Sequence, residues 1–322
     1  MQQASENTNT YNIAFYNLEN LFDTIDNTET LDDDFTPTSD KQWNEKRFQK
    51  KIKKLAKVIS NIGFTEIGHP PVIIGVAEVE NRNVLEALVN SKFLKNKAYD
   101  IVHFDSPDER GIDTALLYRK EYFNVLHQEV FTLFLNNEFG IRDYTRDILY
   151  VKGQLEGELV HLLVNHWPSR RAGAEETAYK RIAAARRNKE IVDEIMAIDP
   201  LAKILVMGDF NDDPQSESIK ELTAATLYNP MELLLTKYAG STNYRGSWNL
   251  FDQILLSHSF LQQYGNSLRF EDAHIFNPKA LVAYRGRNKG IPFRTYMGRK
   301  YLGGFSDHFP VFGTFTIHRT AN

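Results

Sequence analysis

Cysteine is absent from the 322 residues. Disulfides, thiolate metal sites and a cysteine nucleophile are therefore excluded, and any metal must be held by oxygen and imidazole. That donor set suits hard ions such as Mg²⁺ or Mn²⁺. No apolar run is long enough to cross a membrane as a helix. Residues 1–10 are polar and lack the apolar stretch of a signal peptide. They read as a disordered leader or as the remnant of a removed signal, so the chain is expected to be soluble and either exported or cytoplasmic. An excess of charge is also missing, with 38 Lys and Arg against 42 Asp and Glu. A polyanion would have to be met by a local patch rather than by the whole surface. Neither a short repeat nor a dividing linker is visible, so one domain is expected over residues 11–320.

What is present is ample apolar material, 42% hydrophobic residues, enough for a sizeable core. Apolar runs of strand length fall at 13–16, 72–79, 101–104, 114–118, 131–135, 148–151, 159–164, 203–207, 251–256 and 309–317. Residues 46–62 read as an amphipathic helix, with Phe48, Ile52, Leu55, Ile59 and Ile62 on one face and lysines as a solvated remainder. A short helix is expected at 84–89 and a long one at 175–198. Many strands with few long helices suggest stacked sheets with helices outside, an α+β layered sandwich.

The notable polar residues sit where apolar strands begin or end. Asn17 and Glu19 follow Ile-Ala-Phe-Tyr, Glu78 lies near the end of an apolar run, and His166 follows Leu-Leu-Val-Asn. Asp209 and Asn211 follow Ile-Leu-Val-Met-Gly, Asp252 opens a strand, and Asp307-His308 precedes Phe-Pro-Val-Phe. Strand ends carry the loops on which sites are built. Taken singly, the Asp209 to Pro214 segment reads equally as a turn, and His166 as a satisfied core histidine. Glu78 is harder to dismiss, because a carboxylate inside an apolar strand needs a cation or hydrogen bonds.

Together these segments resemble the endonuclease/exonuclease/phosphatase superfamily. The resemblance rests on six ordered motifs: Phe15-Tyr16-Asn17-Leu18-Glu19-Asn20, Gly75-Val76-Ala77-Glu78-Val79, Asn165-His166-Trp167-Pro168-Ser169, Gly208-Asp209-Phe210-Asn211-Asp212, Phe251-Asp252-Gln253-Ile254-Leu255 and Phe305-Ser306-Asp307-His308-Phe309-Pro310-Val311. It implies a four-layer αββα, DNase-I-like sandwich and a Mg²⁺- or Mn²⁺-dependent phosphoesterase, with the site at one edge of the paired sheets. It also implies residue roles. Asn17, Glu78 and Asp307 are expected at the metal, with Glu19 a further acidic candidate. Asp209 and Asn211 are expected to align or activate water, His308 to be the catalytic imidazole, Asp252 to orient it, and His166 to contact phosphate. Arg146 is the expected phosphate-binding arginine, with Arg142 a near competitor.

Substrate is less legible. Ser169, Arg170 and Arg171 follow His166 and would place two guanidinium groups at the cleft rim, where their planar forks suit phosphate. Lys180, Arg181, Arg186 and Arg187 read as a solvated helix face or as a basic one. Residues 284–301 interleave Arg285, Arg287, Lys289, Arg294, Arg299 and Lys300 with Phe293, Tyr296 and Tyr301, a composition that suits a strand-tracking surface. The expected activity is that of a nuclease on DNA or RNA, with endonuclease action favoured. The alternative is a phosphodiesterase or phosphatase of small-molecule or lipid-headgroup phosphoesters. No obligate protein partner is evident. An inactive binding module is disfavoured, since every core position holds a chemically competent residue.

Overall fold

Alternation along the central strands sets the architecture, because these strands are apolar on both faces. In Asn7–Leu21, Ile13 and Phe15 join one buried cluster while Ala14 and Tyr16 join another. Ile73–Val79 divides the same way, Ile73 and Ala77 against Ile74 and Val76. Each strand therefore lies between two packed layers.

The computed structural model describes residues 7–137, 139–262, 267–286 and 288–319. Within them, two six-stranded mixed sheets pack face to face. The first runs Leu268–Ile275, Val311–Arg319, Asn7–Leu21, Ile73–Val79, Asp113–Arg119, Tyr99–His103. The second runs Leu227–Tyr228, Asp252–Ser257, Lys203–Asp209, Glu158–His166, Ile148–Leu155, Phe123–Phe131. At Gly75 the sheets leave no room for a side chain: a Cβ there would lie 2.8 Å from Met207 Sδ. Helices Glu45–Ile59 and Arg82–Val89 cover the first sheet through Phe48, Ile52, Leu55, Val84 and Leu88. Helix Ala178–Ile198 covers the second through Ala184, Ala185 and Ile191. The layers are thus helix, sheet, sheet, helix, the αββα sandwich that the motifs imply.

Several local expectations need correction. The strand expected at 131–135 is displaced: Phe123–Phe131 is the strand, and it pairs with Ile148–Leu155 at the sheet edge. Its exposed Asn124, His127 and Gln128 gave it no apolar signature. Residues 7–10 of the expected leader belong to the first strand and pair with Val311–Arg319, while residues 1–6 lie outside the described residues. The helix at 45–59 is capped by Asn44, whose side chain accepts from the Arg47 amide at 3.2 Å. Its lysines are not all solvated. Lys51 is buried and donates to Thr295 Oγ1 at 2.7 Å and to the Glu19 carbonyl. Among the described residues no helix is long and apolar enough to cross a membrane.

Candidate active site

Strand register brings the polar ends together. Asp209 closes its strand opposite His166 on the parallel side and opposite Asp252 on the antiparallel side. Gly208 makes this close approach possible, because a Cβ there would sit 2.4 Å from the Asn165 carbonyl oxygen. The other sheet contributes through an irregularity. Asn17 pairs with Ala77, and the ladder then breaks until Leu21 meets Val79. Within the break Glu19, Asn20 and Glu78 take φ values of 53°, 51° and 60°. A bulge re-aims side chains, and left-handed backbone at non-glycine residues is strain of the kind found at functional sites. Here it turns Glu78 to the cleft, with Oε2 accepting the Asn20 amide at 2.8 Å.

The last segment is pinned by the first strand and by a two-stranded hairpin that begins at Thr242. Ser306 Oγ donates to the Asn17 carbonyl at 2.7 Å and accepts the His308 amide at 3.1 Å. Thr242 Oγ1 donates to the Asp307 carbonyl at 2.9 Å. These bonds place His308 Nδ1 2.6 Å from Asp252 Oδ2. Asp209 is held by Asn17 Nδ2 at 2.9 Å and by the Asn211 amide at 3.0 Å.

What remains is a ring of polar groups that do not touch. Asp209 Oδ2 lies 3.9 Å from His166 Nε2 and 3.8 Å from His308 Nε2. Glu78 Oε1 lies 3.9 Å from His166 Nε2, and Asp307 Oδ1 lies 4.0 Å from His308 Nε2. These gaps exceed a hydrogen bond and leave space for ligand oxygens between the groups. The ring opens into a cleft of about 740 Å³ that is also lined by Arg110, Ser169, Arg170, Arg171, Tyr244 and Arg294.

Burial and neighbouring charge divide the titratable groups. Burial alone would lower His308, but Asp252, Asp209 and Asp307 outweigh it and hold the imidazole well above its ordinary value. Burial, with Arg146 and Arg110 nearby, keeps His166 well below its ordinary value and neutral. Burial pushes Asp209 up to about 6 against the pull of His308. Burial would raise Asp307, yet the Arg294 guanidinium, 2.7 Å away, together with His308 and Lys51 brings it below the usual range.

The donor set fits a hard divalent cation. Glu78 Oε1 and Asp307 Oδ1 accept no hydrogen bond among the described residues and both carboxylates line the cleft. Asp209, Asp252 and His308 also bring ligand atoms within 4.8 Å of one another. Two carboxylates beside an open volume match a cation that keeps waters and takes its remaining ligands from phosphate.

Most residues expected at the site converge here, but not in equal positions. Glu78, His166, Asp209, Asn211, Asp307 and His308 line the cleft, as do Ser169, Arg170 and Arg171. Asp252 lies fully buried behind His308. Asn17 lies behind Asp209, its Oδ1 accepting the Glu19 amide at 2.9 Å. Glu19 faces away, taking the Thr295 amide at 2.6 Å, and burial raises it to about 7. Arg146 does not line the cleft itself. It is buried, bonded to Asp108 at 2.9 Å and to the carbonyls of His166 and Trp167, so it braces the His166 strand end instead of reaching the cleft. Its competitor Arg142 is bonded to the carbonyls of Leu133 and Leu135. Arg170 is also tied down, to Asp212 Oδ1 at 2.6 Å and to the Asn211 carbonyl.

The basic and aromatic stretch at 284–301 divides: Arg294 lines the cleft and Lys289 a neighbouring pocket, while other members are engaged elsewhere. Tyr296 is buried in the first core cluster, Tyr301 packs beneath Arg47, and Arg299 pairs with Asp40. Arg287 lies outside the described residues. Arg110 was not anticipated. It reaches the cleft from the loop before Asp113–Arg119 and donates to Asn20 Oδ1 at 2.5 Å, a contact between distant segments that no local motif marks.

A layered sandwich whose paired sheets end in one acidic, imidazole-bearing cleft defines a class of phosphoester hydrolases. The chain matches the Endonuclease/Exonuclease/phosphatase family over residues 12–317 and belongs to it. No curated protein matches its sequence. Solved structures share the fold. A truncated Caenorhabditis elegans TDP2 superposes with TM-score 0.58 at 19% identity, over 95% of this chain and 97% of that one. A D. rerio TDP2 complexed with a single-strand DNA product gives 0.57 at 14%, over 95% and 98%. A Bacteroides thetaiotaomicron mannosyl-6-phosphatase gives 0.56 at 16%, over 95% and 99%. At these identities the likeness carries the fold and not the substrate.

Proposed function

We propose that the protein is a divalent-metal-dependent phosphodiester hydrolase acting on nucleic acid. The observation that carries this reading is the ring of Glu78, His166, Asp209, Asp307 and His308, spaced 3.8–4.0 Å apart around a volume open to the cleft. Glu78 and Asp307 would hold Mg²⁺ or Mn²⁺, which when bound neutralises phosphate oxygens that would otherwise repel a nucleophile. Asp209, ionised at neutral pH, accepts the proton of the attacking water, and the Asn211 amide fixes its orientation. His308, held protonated by Asp252, donates a charged hydrogen bond to the phosphoryl oxygen on which charge builds. Neutral His166 donates to a second oxygen. Arginines 110, 170, 171 and 294 surround the approach.

A small phosphoester is the second reading, favoured by the inward packing of Tyr296 and Tyr301 and by the likeness to a sugar phosphatase. A Mg²⁺-supplied panel of single-stranded DNA, RNA, bis-p-nitrophenyl phosphate, mannose 6-phosphate and inositol phosphates separates the two. Turnover of the diesters, ended by EDTA and reduced at least about a thousandfold by His308→Ala or Asp209→Ala in folded protein, is expected. Turnover of monoesters alone would transfer the reading to a phosphatase.

A further inference from the structure

Many arginines of this chain are neutralised at home. Arg146 pairs with Asp108, Arg170 and Arg181 with Asp212, Arg186 with Glu221, and Arg187 with Glu190. Arg171, Arg245 and Lys289 are exposed and, unlike those, carry no ion pair among the described residues. All three border pockets that open beside the catalytic cleft. One pocket, about 340 Å³, shares Ser169 and Arg171 with the cleft and continues over Tyr144 and Lys180. The other, about 490 Å³, shares Asn243 with the cleft and is lined by Tyr238, Arg245, Trp248 and Lys289.

Sheet order fixes where these pockets lie. Asp209 ends a strand whose neighbour on one side is Glu158–His166, followed by Ile148–Leu155. The segments around 143–146 and 168–172, which form the smaller pocket, extend from those two strands. The neighbour on the other side is Asp252–Ser257, and the segment 238–248 of the larger pocket leads into it. The pockets therefore flank Asp209 on opposite sides along one sheet edge.

Each flank couples an exposed ring to a cation. Tyr144, 48% exposed, lies with Arg171 and with Lys180, the latter held by Asp143. Tyr238, 80% exposed, lies with Arg245 and Lys289. Between them Tyr244, 65% exposed, lines the cleft itself. The central cleft, about 740 Å³, gives a small phosphoester room without either flank. A nucleotide chain repeats an anion and a flat ring at every residue, which is the pattern both flanks present. A duplex hides its base faces, whereas a single strand offers them for stacking. Resting on the phosphodiesterase reading above, we infer that the protein binds single-stranded polynucleotide across both flanks and cuts it internally.

The test uses the metal-loaded protein. Circular single-stranded DNA should be linearised, and KM should fall as linear substrates lengthen from two to twelve nucleotides. The double variant Tyr238→Ala/Lys289→Ala, and separately Tyr144→Ala/Arg171→Ala, should each raise KM for the twelve-nucleotide substrate about tenfold, the loss of a stacking contact and a phosphate contact. Circular dichroism and thermal melting confirm that these surface variants fold. An intact circle beside linear strands shortened from one end would overturn the two-sided groove, as would a KM that ignores length and both variants. If bis-p-nitrophenyl phosphate is hydrolysed in those cases, the phosphodiesterase reading survives and only the groove falls. If no diester is hydrolysed at all, both fall.

Discussion

At the scale of single residues, the two histidines show how identical side chains acquire opposite charge. Both are largely buried, and burial favours the neutral ring. His166 has Glu78 and Asp209 at 3.9 Å, but its burial, with Arg146, Arg110 and His308 nearby, outweighs them and keeps it well below its ordinary value. His308 has Asp252 2.6 Å from Nδ1 and Asp209 3.8 Å from Nε2, which hold it well above its ordinary value. The sequence alone left open whether Asp209 or His308 accepts the water proton. In the mechanism proposed above that role falls to Asp209, because a protonated His308 has no lone pair to give. The sign of a test follows. Asp252 raises the His308 value, so Asp252→Asn must bring it down toward the ordinary 6.5 or so of histidine. Imidazole NMR of the metal-free protein should show His308 protonated well above that pH in the wild type and titrating lower in the variant. Because the folded value exceeds the unfolded one, the pair adds stability that is full below the unfolded value and lost as pH rises through the folded value. A wild-type His308 that titrates near 6.5 and is indifferent to Asp252 would contradict the assignment.

At the scale of elements, the loop after Asp209 is fastened to helix Ala178–Ile198 by one carboxylate. Asp212 is ion-paired with Arg181, whose Nε lies 2.9 Å from Oδ2, and accepts hydrogen bonds from Arg170 Nη2 at 2.6 Å on Oδ1 and from Ser218 Oγ. Arg181 is 2% exposed. Asp212→Ala strands that buried guanidinium, and breaking one side of a buried pair costs about 3–5 kcal/mol. Urea denaturation should show that loss, and a change below about 1 kcal/mol, the worth of an exposed pair, would refute the fastening. This element also marks the limits of reading by pattern. Apolar runs exposed the central strands, because a strand covered on both faces has no polar alternation to confuse it. The edge strand Phe123–Phe131 alternates weakly and escaped notice, as did Leu268–Ile275. Site residues at strand ends were legible through their motifs. Arg110 was not, because it reaches the cleft by a tertiary contact with Asn20. Arg146 is the converse case, since no local pattern shows that Asp108 and two carbonyls engage its guanidinium.

At the scale of the whole molecule, the two sheets contribute different halves of one site. The first supplies Asn17, Glu78 and, through the loop before its strand Val311–Arg319, Asp307 and His308; the second supplies His166, Asp209 and Asp252. Neither sheet holds the set alone, so function depends on face-to-face packing through Phe15, Gly75, Val164 and Met207. The most direct measurement is Mn²⁺ binding followed by electron paramagnetic resonance in the wild type and in Glu78→Gln. The account predicts saturable binding that weakens at least about tenfold in the variant, a loss seen even for partners that only support a ligand. Equal Mn²⁺ affinity in the two folded proteins, or no saturable binding in the wild type, would contradict it.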